Sequence, residues 1–356
     1  MNYIPSTLCE TVDLSEIRDF PRNWSDLRLS HPRTIRCRSG QIGCLDDNRM
    51  HYYIKPPLLG NVISHDFVFR TNPFRSFEET IVILVTFDPG YVDIAKTWMS
   101  SLSQHNSHAL CRVVCHTRNV SDERFREIRL HVRQFANIVL FHKPATKDYN
   151  SYTSPLTHVN ACCMDRLFVT ELDYGMETNR IIYLDLDILI IGSLSPLMHI
   201  DTNSTGIAAK SSKVKNVING WLRKYNINDL KYVYGKSFNA GVMVIDIDKL
   251  KANDYWKRVM SMFDKYPVND QILLNFYARG AYAELPAKYN VFVGQDNNLF
   301  SLSPCITDSA VVLHFVGTPK PWKHTVDTYP NNTDLWKLWK EHQNHQTSLV
   351  PVFRAR

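Results

Sequence analysis

The stretch RIIYLDLDILIIGSL, residues 180–194, places two aspartates, Asp185 and Asp187, inside a run that otherwise reads as a buried β-strand. Burying an ionised carboxylate costs several kcal/mol unless it is paired or bound to a metal. The two-residue repeat of a strand points both side chains to one face, where like charges oppose ionisation. Something positive should sit between them. Carboxylate oxygens suit hard divalent cations such as Mg²⁺ or Mn²⁺, which join proteins to phosphates. The competing reading has one aspartate capping a turn and the other meeting a basic side chain.

Outward from that stretch, strands alternate with helices. Residues 79–91, ETIVILVTFDPGY, are a continuous apolar run broken by Asp-Pro-Gly, which predicts a buried parallel strand entering a turn. Val92, Ile94, Ala95, Trp98, Met99 and Leu102 follow at helical spacing. ALCRVVCHT (109–117) predicts a second strand, SDERFREIRLHVRQFA (121–136) a helix capped by its serine, and NIVLFHK (137–143) a third strand. A helix-like ACCMDRLFVTEL (161–172) precedes the opening strand. This alternation predicts an α/β fold with a mainly parallel sheet. Ligands bind such sheets beyond the carboxyl ends of strands, where TFDPGY and DLD both fall.

The chain of 356 residues is long enough for one large or two ordinary domains. At 44% hydrophobic and 21% charged it can build a sizeable core. A net charge of +6 without a dense Lys or Arg run argues for a solvated basic surface or an anionic ligand and against nucleic acid. No run reaches the 18 or so apolar residues of a membrane span, and MNYIPSTLCETVDLSE lacks the features of a signal peptide. The eight cysteines show neither CxxC nor zinc spacing and read as free thiols. A cytoplasmic location is therefore expected, with the N-x-S/T sequons at Asn23, Asn119, Asn203 and Asn331 as chance matches. Residues 1–75, rich in Pro, Arg, Asn and Ser, read as an irregular N-terminal extension with short elements. Residues 76–325 carry the α/β domain, and 326–356 a polar tail with a helix in NTDLWKLWKEHQNH.

Further along, the chain offers more candidates, each with a plain structural alternative. SFNAGVMVIDIDKL (237–250) reads as a strand carrying a glycine. Asn239 lies there beside Ala240 and Gly241, small enough for a ligand to approach; the alternative is a glycine bulge. Asp270 and Gln271 open the helical NDQILLNFYARG, where an aspartate ordinarily serves the helix N-terminus. In AVVLHFVGTPKPW, His314 could be a core histidine or a ligand suited to Mn²⁺ beside carboxylates. Gly317 would let backbone approach a ligand, and Lys320 could reach a diphosphate as a point charge.

Singly these motifs are ambiguous; in order they are not. TFDPGY, YLDLDILIIGSLSPL, FNAGVMVI, NDQILLNF, LPAKYNV and LHFVGTPKPW together resemble glycosyltransferase family 8, over roughly residues 78–324. The resemblance implies a GT-A fold, a single Rossmann-like domain that holds a UDP-sugar and Mn²⁺, with Mg²⁺ as an alternative. It makes Asp185, Asp187 and His314 the metal ligands. Lys320 and Gly317 would close over the diphosphate, and Thr86, Asp88 and Tyr91 would hold uracil. Arg166, Leu186 and, more remotely, His158 would contact the donor. Asn239, Ala240, Gly241, Asp270 and Gln271 would surround the transferred sugar, with Gln271, Asp270 and Lys320 the residues implied in catalysis.

The implied function is metal-dependent transfer of a hexose or pentose from a UDP-sugar to a hydroxyl of a glycan or glycoconjugate, with retention of anomeric configuration. A double displacement would need a nucleophile where Gln271 stands, and an amide is a poor one; a front-face route is the alternative. TFDPGY has Pro and Gly where members often carry Asn or Asp, which touches ribose contacts. The segment between Tyr289 and His314 has no tyrosine, which argues against a self-glucosylating glycogen primer. The competing functions are a non-catalytic UDP-sugar- or glycan-binding protein on the same fold and a nucleotidyltransferase.

Overall fold

The computed structural model describes residues 9–12, 33–37, 41–46, 49–54, 77–146, 161–174, 178–212, 237–265, 268–293, 309–317, 319–325 and 333–344. The chain divides into two compact units, Met1–Phe77 and Glu78–Arg356. In the first, β1 Cys9–Val12, β2 Arg33–Cys37, β3 Gln41–Asp46 and β4 Arg49–Ile54 pair antiparallel in sequence order. A four-stranded meander thus stands where composition suggested mostly irregular chain.

The second unit is a mixed α/β layer structure. Its strands are β5 Glu79–Phe87, β6 Ala109–Thr117, β7 Ile138–Pro144, β8 Arg180–Leu184, β9 Ile188–Ile190, β10 Ile207–Ser212, β11 Ser237–Asp246, β12 Ala283–Glu284, β13 Val291–Phe292 and β14 Val312–His314. Seven form one sheet in the order β12-β10-β11-β8-β5-β6-β7. β8, β5, β6 and β7 run parallel, and β11 lies antiparallel to both its neighbours. The order reverses between β5 and β8, so a crevice opens beyond their carboxyl ends.

β5 is apolar from Ile81 to Val85 because both faces are covered there. Ile81, Ile83, Val85 and Phe87 enter one core cluster, with helix α1 Val92–His105. Val82 and Leu84 enter the other, as do residues of α5 Tyr255–Lys265 and α6 Asp270–Ala278. Between them in the chain lie α2 Asp122–Val132, α3 Ala161–Met164 and α4 Ile247–Ala252. Ser121 caps α2 as expected, its Oγ accepting the Arg124 N–H at 3.2 Å. ACCMDRLFVTEL does not form one helix: the single turn of α3 tightens into a 3₁₀ turn over Asp165–Phe168.

The opening stretch departs from its expected form. It is two strands, not one. β8 ends at Leu184, and β9 belongs to a separate three-stranded sheet, β13-β14-β9. The Asp185 N–H donates to Gly241 O of β11 at 2.8 Å, and Asp187 O accepts the Phe315 N–H beside β14 at 2.9 Å. Three residues therefore hand the chain from one sheet to the other. The last helix, α7 Thr333–Asn344, contributes Leu335 and Trp339 to the core. Trp339 is wholly buried against Phe315 and Trp322, with ring centroids 5.6 and 4.9 Å away.

Candidate active site

At the crevice the two aspartates meet different elements. Asp185 Oδ1 accepts a hydrogen bond from the Tyr183 hydroxyl at 2.8 Å and pairs with Arg166 Nη2 at 2.9 Å. Since Tyr183 donates there, its oxygen accepts from Thr86 Oγ1, 3.0 Å away. Tyr183 and Asp185 share a face by the strand repeat, a signal our sequence reading passed over. Arg166 is turned inward. Nε pairs with Asp270 Oδ2 at 2.8 Å, Nη1 donates to Ala240 O at 2.8 Å, and the guanidinium lies 4.5 Å from the centre of the Tyr183 ring. The two carboxylates raise its proton affinity further, against burial. For Asp270 burial wins: it pushes the carboxyl up despite Arg166, and the charge of Asp185 adds to the rise.

Asp187 faces the smaller sheet. Lys320 Nζ reaches its Oδ2 at 2.6 Å, and His314 Nε2 lies 3.2 Å from Oδ1. Burial disfavours the charge, but His314 and Lys320 outweigh it and hold the carboxyl below the usual carboxylate range. Lys320 also donates to Phe315 O. It follows Gly317, whose φ of +70° is left-handed and suits glycine. Tyr91 lies on the same side, edge-on to Trp322 at 6.4 Å; burial, then the charge of Asp187, push its hydroxyl pKa up. Asp88 Oδ1 accepts the Gly90 N–H at 2.9 Å and caps the turn after β5.

Ligand atoms of Asp185, Asp187 and His314 lie within 4.8 Å of one another, the one such group among the described residues. Three observations fit this group to a divalent cation. Asp187 Oδ1 is buried without a hydrogen-bond donor in proper geometry. Gly241 leaves room for the group, since a Cβ there would stand 2.2 Å from His314 Cε1 and 2.7 Å from Asp185 Oδ2. Two carboxylates and an imidazole are a donor set that suits Mn²⁺. Of the competing reading of the sequence, the basic partner is present, and at both aspartates rather than one.

The Asn239–Gly241 segment orders the far wall. Gln271 Oε1 accepts the Ala240 N–H at 3.0 Å, with Asn239 Nδ2 3.3 Å away. Asn239 Oδ1 accepts the Gly241 N–H at 3.0 Å. Of the expected donor residues, Leu186 turns its side chain into the core, and His158 lies outside the described residues. Asn290, absent from our sequence reading, is fully buried and bonds both Asn239 and His314. Cys111, Cys115, Cys162 and Cys163 are free thiols. Among the described residues no helix is long and apolar enough to cross a membrane.

Solved structures share this architecture. The galactosyltransferase LgtC, in complex with donor and acceptor sugar analogs, matches with a TM-score of 0.58 at 19% identity, over 76% of this chain and 97% of that one. Apo GlyE of Streptococcus pneumoniae matches with a TM-score of 0.52 at 21% identity, over 74% and 60%. These likenesses show the GT-A fold. In sequence, glycosyltransferase GlyE of S. pneumoniae serotype 4 is 23% identical over 66% of this chain and 55% of its own. The lipopolysaccharide 1,2-glucosyltransferase of Escherichia coli K12 is 26% identical over 54% and 59%. The chain thus spans little more than half the length of these relatives. The model of glycosyl transferase family 8 matches residues 82–326, well over half the chain, and the protein belongs to that family.

Proposed function

We propose that this protein transfers a hexose or pentose from a UDP-sugar to a hydroxyl of a glycan or glycoconjugate, retaining anomeric configuration and depending on a divalent metal. One observation carries the reading: Asp185, Asp187 and His314 converge, with Lys320 beside them, at the carboxyl ends of β5 and β8. The names of the relatives agree with sugar transfer. Asp185, Asp187 and His314 would hold Mn²⁺, or Mg²⁺. Bound there, the ion supplies positive charge that stabilises a departing diphosphate.

The remaining work falls to the chain. Thr86, Asp88 and Tyr91 line the end where uracil would lie. Lys320 exchanges Asp187 for a diphosphate oxygen, and the space at Gly317 lets the backbone close on it. Gln271 keeps its oxygen on the Ala240 N–H, which leaves its NH₂ as the group it can offer a sugar. It is then a hydrogen-bond donor to the sugar rather than a nucleophile. This supports a front-face route: the acceptor hydroxyl attacks on the side the diphosphate leaves, and its proton passes to the diphosphate oxygen. Asp270, buried beneath Arg166, acts through that arginine.

The test is incubation with Mn²⁺ and a panel of labelled UDP-sugars, scored by UDP release. One donor should hydrolyse slowly without acceptor, EDTA should stop it, and Mn²⁺ should restore it better than Ca²⁺. Release from no donor would favour a binding protein. Synthesis of UDP-sugar from UTP and sugar phosphate would favour a nucleotidyltransferase.

A further inference from the structure

We propose that Asn290 is a positioning residue that fixes the tautomer of His314, keeping its proton on Nδ1 and making Nε2 the nitrogen offered to the cleft. The reasoning begins at a backbone donor that cannot reverse. The Gly241 N–H donates to the Asn239 side chain at 3.0 Å, so that atom of Asn239 must be the oxygen. The same oxygen meets the Asn290 side chain at 3.0 Å, so Asn290 presents its NH₂ there. Its Oδ1 therefore faces His314 Nδ1, at 2.9 Å. An oxygen can only accept, so Nδ1 carries a proton; Nε2, 3.2 Å from Asp187, is the position that holds either a second proton facing that carboxylate or, in its place, a metal ion.

A second backbone donor gives the same polarity. The Ala240 N–H fixes Gln271 Oε1, and Asn239 turns its NH₂ to that oxygen. Two consecutive main-chain amides thus orient two amides and, through Asn290, one imidazole. Asn290 is itself held. It is fully buried, its N–H donates to Ala287 O at 3.2 Å, and its carbonyl accepts Lys210 Nζ at 2.6 Å. It immediately precedes β13, whose Val291 and Phe292 pair with Leu313 and His314. A ligating imidazole needs its other nitrogen protonated and held, and losing such a partner costs roughly 10–100-fold in metal affinity.

The inference rests on the metal reading above, and two measurements separate their fates. The first is ¹⁵N NMR of histidine-labelled, metal-free wild type, at a pH where the rings are neutral, with His314 assigned through its loss in His314→Gln. The Nδ1–H tautomer is expected; an Nε2–H tautomer would overturn the proposal whatever the variants do. The second is Mn²⁺ affinity by electron paramagnetic resonance. Asn290→Leu should weaken binding about 10–100-fold, whereas Asn290→Asp, which keeps an acceptor facing Nδ1, should weaken it less. A folded Asn290→Leu that binds Mn²⁺ like wild type would also overturn the proposal. Wild type that binds no Mn²⁺, with or without UDP, would instead sink the metal reading, leaving the NMR result to decide the role of Asn290.

Discussion

Asp185 and Asp187 stand two residues apart with similar exposure, 24% and 19% of their side chains, yet their surroundings differ in kind. Asp185 belongs to the large sheet, and its partner Arg166 is buried, planar and already committed to Asp270 and Ala240 as well. Asp187 belongs to the small sheet, and its partner Lys320 is a flexible point charge three residues beyond a left-handed glycine. Arginine held in a fork by two carboxylates is a permanent brace; lysine carries its charge on a stem that can swing. The difference teaches that only one of the two aspartates is poised to change partner, and that Lys320 occupies the place a cation and diphosphate would contest.

The comparison can be broken at several points, beginning with the largest effect. Asp187→Ala should remove turnover, by roughly 10³-fold or more, since a ligand and the charge facing the diphosphate go together. UDP release above a tenth of wild type in Mn²⁺ would end the asymmetry. Arg166→Met should act on the fold instead. It strands the buried Asp270 and takes the cation from Asp185, a loss of about 3–5 kcal/mol in denaturant unfolding, and Mn²⁺ should restore little of it because Asp270 stays unpaired.

Lys320→Ala should do the converse. Turnover should fall about 10²- to 10³-fold, some 2–4 kcal/mol in the transition state, with weaker UDP binding. Its smaller stability loss should be recovered by Mn²⁺, which replaces the missing cation. Equal metal rescue of the Arg166 and Lys320 variants would show that brace and exchangeable charge are not distinct. Gln271→Ala should lower kcat roughly 10- to 100-fold at unchanged UDP affinity, the loss of one or two hydrogen bonds to sugar. Complete loss of transfer would make Gln271 the nucleophile.

The smallest effect is in acid. The Asp187 carboxyl titrates lower folded than unfolded. Its ionised form therefore adds stability that is full above the ordinary aspartate range and is lost as pH falls. In EDTA, the stability gap between wild type and Asp187→Asn should narrow from about pH 5 to pH 2. A constant gap would mean that Lys320 and His314 do not stabilise the ionised carboxylate.

Much of this was legible in the chain, for local reasons. The β5–α1–β6–α2–β7 succession announces itself because its strands are short apolar runs, α1 has its apolar residues at helical spacing and α2 opens on a capping serine. The acidic pair announces itself because charge inside an apolar run needs a cause. What escaped depends on pairings far apart in sequence. Nothing within residues 180–194 says that Asp185 will pair with Gly241 and Asp187 with Phe315, so one strand was read where two sheets meet. The pairing of Arg166 with Asp270 had no local signal, because that partner lies on a helix opening 104 residues later. Asn290 looks like an ordinary turn residue until β13 comes to lie beside His314. At the N-terminus, Pro and Asn dominated the reading, and the short β-branched and aromatic runs of β2 to β4 were outvoted.

The burial of Trp339 has a consequence for where this protein may be cut. The family match stops at 326, and a fragment trimmed there would look complete by homology. It would lack the indole packed against Phe315 and Trp322, the two aromatic residues on either side of Lys320 in sequence. Removing so large a buried aromatic ordinarily costs about 3–5 kcal/mol, much of a typical domain's margin. Such a fragment would expose an apolar cleft beside the loop that carries Lys320 and tend to aggregate. The segment that defines the family is shorter than the segment that folds.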